Sequence, residues 1–204
     1  MTLLTAYSYP YRQSFFNRNL TDRPVMTLTL AACLAVFLII SLGKGQGGKA
    51  RSDRLRRAVA CGCYDRARIS KGQWWRMLTV GFTHIEPWHL LVNLYSLYAL
   101  SALEEVYGHV WFAIILFGSV FGGSLLELSI SKTAYSVGLS GGLYGLMFSY
   151  ALFSITFKAG SLRSLFLTLA VNLAINFAPG IAWQAHVGGA LTGLVLTEIM
   201  LYMR

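Results

Sequence analysis

Acidic residues are few in this sequence. There are eight Asp and Glu among 204 residues, and all charged side chains together make up 12%. A soluble domain carries about 25%, so the charged surface of an ordinary water-soluble fold is missing. With 55% hydrophobic residues and a mean hydropathy of +0.55, the chain reads as a membrane protein. Cysteine is also scarce. Three cysteines, with Cys33 inside an apolar run, make no disulfide framework. Cys61-Gly62-Cys63 is too tightly spaced for an ordinary zinc site and has no second pair. The start of the chain lacks a short apolar stretch followed by a small-residue cleavage site, which excludes a cleavable signal peptide. No internal repeat and no low-complexity tract is present, and the length suits one compact bundle.

Basic residues, by contrast, are concentrated. The net charge is +9, and ten of the 17 Lys and Arg fall between Lys44 and Arg76, beside apolar runs. Contact with anionic lipid headgroups explains that placement more simply than nucleic acid does. The apolar runs set the organisation. Residues 1–24 form a polar, aromatic interfacial arm. Residues 25–204 form one all-α membrane domain with six spans at about 25–43, 88–103, 110–130, 138–157, 163–178 and 185–203. Gly43 to Gly48 reads as a flexible break. Residues 49–86 form a long basic loop, with Arg51 to Ala60 suited to a surface helix. Trp74-Trp75-Arg76 suits an interfacial anchor whose guanidinium can bind phosphate or a backbone carbonyl.

Polar residues inside spans are costly and mark candidate sites. His89 and Asn93 are four apart in span two, as are Ser140 and Tyr144 in span four. His186, Gly189 and Gly193 share one face of span six. Consecutive spans alternate direction, so spans two, four and six start on the same membrane face. His89, Ser140 and His186 each lie near one of those starts and therefore at similar depth. Gly141 and Gly145 on span four, with Gly189 and Gly193 on span six, permit near backbone contact, which would bring Ser140 to His186. A serine beside a neutral imidazole is an activated nucleophile. The start of a helix offers free N–H groups to a developing oxyanion, and His89 and Asn93 can add side-chain donors. Tyr144 can hold the imidazole. No Asp or Glu is expected at this depth: Glu127 and Glu198 are read as lying toward the far, aqueous ends of spans three and six. Asn172 and Asn176 are read as bonding neighbouring helices, and His84 as a loop or supporting group.

With these residues assembled, the sequence resembles the rhomboid family of intramembrane serine proteases. Gly138-Leu139-Ser140-Gly141 matches the family's G-x-S-G. His89 to Asn93 matches H-x-x-x-N, and His186 to Gly193 matches H-x-x-G-x-x-x-G. Trp75-Arg76 matches the first-loop motif, and Glu104 matches the acidic residue at the end of the second span. The resemblance covers about residues 25–203 and implies a six-transmembrane-helix rhomboid-like bundle. It implies Ser140 as nucleophile, His186 as general base, and His89, Asn93 and the Ser140 N–H as the oxyanion hole. Tyr144, Gly138, Gly141, Gly189, Gly193, Trp75, Arg76 and Glu104 become supporting residues. Substrates would be single-span membrane proteins entering laterally near span five, with water reaching Ser140 from the face where the even-numbered spans begin. No metal or cofactor, and no nucleic acid, is implied. A compact chain of this kind suggests a bacterial plasma membrane, with an organelle membrane the alternative.

Two other readings compete. A catalytically inactive rhomboid-like protein that binds membrane clients typically lacks the serine or the histidine, and this chain keeps both. A small transporter predicts a paired intramembrane charge or a helix broken at the midplane, which the sequence does not show. The family places the first loop outside the cytoplasm, whereas its basic charge favours the inside. Arg12, Arg18, Arg23, Lys158, Arg163 and Arg204 on the opposite side, and the small weight of long loops in that rule, support the family's topology.

Overall fold

The computed structural model describes residues 20–42, 50–158 and 181–203. Most of the expected N-terminal arm, the expected Gly43–Gly48 break, and the expected fifth span with Asn172 and Asn176 lie outside the described residues. Helix α1 (Pro24–Leu42) leads to α2 (Ala50–Ala60) and β1 (Tyr64–Asp65). Two short helices follow, α3 (Arg66–Ile69) and α4 (Arg76–Thr79), and a 3-10 turn at Val80–Phe82. Next come α5 (Pro87–Leu100), α6 (Ala102–Tyr107), α7 (His109–Ile130), β2 (Tyr135–Ser136), α8 (Ser140–Thr156) and α9 (Trp183–Tyr202).

Three of these, α1, α7 and α9, are long and apolar enough to cross a membrane. At 14 and 17 residues, α5 and α8 are shorter. At about 1.5 Å per residue, they reach roughly 21 and 26 Å. The apolar run of the second span bends at Ser101, whose hydroxyl and N–H both bond the Tyr98 carbonyl. That bend aims Glu104 at the start of α1. Its buried carboxylate accepts the Val25 and Met26 N–H groups at 2.8 and 2.9 Å, satisfying donors that the first turn of a helix leaves free. Arg23 pairs with Glu105 and donates to Ser101, tying the same corner together.

The core forms where α7, α8 and α9 pack on one another, with Phe112, Ile115, Leu116, Leu143 and Leu146 at its centre. Helices α8 and α9 run parallel and in register. Gly141 faces Gly189, Gly145 faces Gly193, and one step further Thr197 donates to Ser149 at 2.6 Å, each pair 48 residues apart. Helix α7 packs on both, with Gly122 against Thr192 and Gly123 against the Ala185 carbonyl of α9, and Ser119 against Gly145 of α8.

The basic loop is held by arginines that cap carbonyls. Arg57 donates to the Ile40 carbonyl at the end of α1, and Arg66 to the Glu127 and Leu128 carbonyls near the end of α7. Strands β1 and β2 pair antiparallel, Tyr64 with Ser136 and Asp65 with Tyr135. Two-residue strands carry no alternation for sequence reading to find. This pair ties the loop to the chain that leads into Ser140.

Candidate active site

Ser140 opens α8, so its N–H and that of Gly141 lie in the first turn, where no carbonyl of the same helix accepts them. Its Oγ lies 2.8 Å from His186 Nε2. His186 is buried, and its ring stacks on Tyr144 with centroids 4.3 Å apart and planes 8° apart. The imidazole is thus held on one face by an aromatic ring and at its edge by the serine.

The approach depends on glycine at two points. Gly138 has φ +121°, and a Cβ there would lie 2.6 Å from His89 Cε1. The turn before Ser140 therefore needs glycine both for its backbone and for the His89 ring laid against it. A Cβ on Gly189 would overlap the Gly141 carbonyl oxygen, so the helices carrying Ser140 and His186 touch backbone to backbone. His89, Ser140, Tyr144 and His186 converge on one small region.

A family model described as "Rhomboid domain" matches residues 71–203. The chain belongs to the rhomboid family. It is 36% identical over 140 residues to RHOMBOID-like protein 2 of Arabidopsis thaliana, covering 65% of this chain and 44% of that protein. It is 34% identical over 148 residues to RHOMBOID-like protein 6, mitochondrial, of the same plant, covering 69% and 48%. It is 28% identical over 178 residues to Rhomboid protease GluP of Bacillus subtilis (strain 168), covering 84% of this chain and 34% of that protein. The chain spans about a third to a half of the length of these curated relatives.

The remaining motif residues of this rhomboid lie on α5 and in the basic loop. Asn93 is buried, and its amide donates at 2.8 Å to the His89 carbonyl one turn earlier. An amide carries two N–H donors, so this bond leaves one. Arg76 lies inside the loop, donating to the Val59 and Cys63 carbonyls and to Gln73 Oε1. Trp75 is exposed and stands edge to face with Trp74. Burial pushes the Cys63 thiol up to about 12, in keeping with a packing role.

Glu127 departs from expectation. The end of α7 leads through β2 into the start of α8, so Glu127 lies near Ser140. Glu127 is buried rather than aqueous, and its Oε2 accepts from Ser136 at 2.9 Å. Together with Ser124, Ser136 and Ser140 it lines a cavity of about 20 Å³, room for about one water molecule. Glu198 is exposed. His84 lies in the loop before α5, where the sequence reading put it. It is fully buried, edge to face with His89 at 5.2 Å. Burial, then the nearby His89, push its pKa down to about 3, opposed in part by the Phe82 backbone.

Proposed function

We propose that this rhomboid is an intramembrane serine endopeptidase, a six-span bundle that cuts single-span membrane proteins in or near the bilayer with a Ser140–His186 dyad. The observation that carries this reading is the 2.8 Å contact between Ser140 Oγ and His186 Nε2, with the imidazole stacked on Tyr144. A hydroxyl hydrogen-bonded to an oriented imidazole is the arrangement that nucleophilic catalysis needs. One relative bears the name of a rhomboid protease.

In this reading Ser140 Oγ attacks a substrate carbonyl carbon while its proton passes to His186 Nε2. The oxyanion that forms is stabilised by the first N–H of α8, by His89 and by the remaining Asn93 N–H. The C–N bond then breaks, and the proton moves from His186 to the leaving amine. Water splits the resulting ester, with His186 accepting its proton and returning it to Ser140. The small polar cavity beside Ser140 suits the storage of that water. A substrate helix hides its carbonyls in its own hydrogen bonds, so cleavage favours segments where Gly or Pro loosens the backbone.

Labelling tests the dyad without a known substrate. A fluorophosphonate probe should modify the purified wild-type chain at Ser140, as read by peptide mass spectrometry, and His186→Ala should lower the labelling rate at least 100-fold. Equal labelling of both would leave the serine unactivated and overturn the reading.

A further inference from the structure

We propose that the groove between α2 and the β1–β2 pair binds the phosphate headgroup of an anionic phospholipid. The loop's described basic side chains, from Arg54 to Arg76, fall into two sets. Arg54, Arg57, Arg66 and Arg76 turn inward onto backbone carbonyls. Arg56, Arg68 and Lys71 line a groove of about 620 Å³ together with Asp65, Gln73 and Tyr135. The Arg56 and Lys71 side chains are exposed and make no hydrogen bond or ion pair among the described residues. Asp65 is already engaged, with Oδ2 3.1 Å from Arg68 Nε and Oδ1 accepting the Arg68 N–H. One carboxylate against three cations leaves the groove positive.

Its surroundings select a lipid over a soluble phosphate. Gln73 is followed by the exposed rings of Trp74 and Trp75, which favour the headgroup level. Leu55 and Val59 give the groove an apolar wall suited to glycerol and the first acyl carbons. Basic residues at that level attract anionic lipid. The placement also accounts for a loop that is strongly basic on the family's non-cytoplasmic side. Tyr135 on the groove's wall belongs to β2, and its neighbour Ser136 holds Glu127 beside the catalytic region. A bound headgroup therefore rests on the segment that leads into Ser140.

The test is binding to the full chain in neutral detergent, and it is independent of the protease reading. Native mass spectrometry would titrate dioleoyl phosphatidic acid, dioleoyl phosphatidylcholine and inorganic phosphate in turn. Saturable binding of phosphatidic acid, at least tenfold tighter than phosphatidylcholine, is expected. Arg56→Gln with Lys71→Gln should weaken it roughly 10- to 30-fold. Lys132→Gln, which removes an exposed charge outside the groove, should change nothing. Equal loss in both variants would mean diffuse surface charge and overturn the site. Inorganic phosphate binding without lipid preference would overturn the lipid assignment. A photoactivatable phosphatidic acid gives an answer from wild-type protein alone: crosslinks within residues 55–73 or at Tyr135 support the groove, and crosslinks confined elsewhere overturn it.

Discussion

Gly189 lies so close to Gly141 that a single added carbon would overlap the Gly141 carbonyl oxygen. This contact sets the distance between the helix bearing Ser140 and the helix bearing His186. Gly189→Val should push α9 away from α8 and separate the dyad. A displacement of about 1 Å costs on the order of 100-fold in rate, so cleavage should fall at least that far even where the variant folds. Cleavage assays beside circular dichroism would check this, and near wild-type activity would show that the helices tolerate separation.

Tyr144 supports His186 by its ring face. Tyr144→Phe keeps the stack and should retain most activity, whereas Tyr144→Ala should lower kcat roughly two- to tenfold, as expected for losing an aromatic contact of about 0.5–1.5 kcal/mol. Comparable losses in both variants would move the role to the hydroxyl.

Glu104, on α6 just after α5, is bonded to the start of α1. Its carboxylate is fully buried and accepts two backbone N–H groups, with His109 Nδ1 2.9 Å away. Charge-assisted bonds of this kind contribute about 1.5–3 kcal/mol. Glu104→Ala should therefore lower stability by about 2–3 kcal/mol in equilibrium unfolding in detergent, far from the dyad. An unchanged midpoint would show that α1 is held by packing alone.

The buried His84 makes stability depend on pH. Its folded pKa, about 3, lies below the ordinary 6.5. Below pH 6.5 the unfolded chain takes up a proton that the folded chain refuses, so the native state loses stability as pH falls from 6.5 toward 3. The slope from this group approaches about 1.4 kcal/mol per pH unit. The wild-type melting temperature should drop across that range more steeply than that of His84→Asn. Parallel curves would show that His84 is reached by water.

The closeness of Ser140 to His186 was legible because alternating spans allow depth to be counted, and because glycines four apart mark close helix contact. The same counting missed Glu127, whose span runs the other way and ends where span four begins. Ser149 and Thr197 extend the glycine register, but small hydroxyl residues in apolar runs look like packing until both helices are aligned. The β1–β2 pair is too short to show a period. Arginine side chains that cap carbonyls cannot be told from solvated ones without the fold.

The most direct test of the central claim is cleavage of a single-span reporter by the purified chain in liposomes, with Ser140→Ala and His186→Ala beside wild type. Cleavage by wild type, with each variant reduced at least 1,000-fold, is the result the dyad predicts. Cleavage that persists in either variant would contradict it.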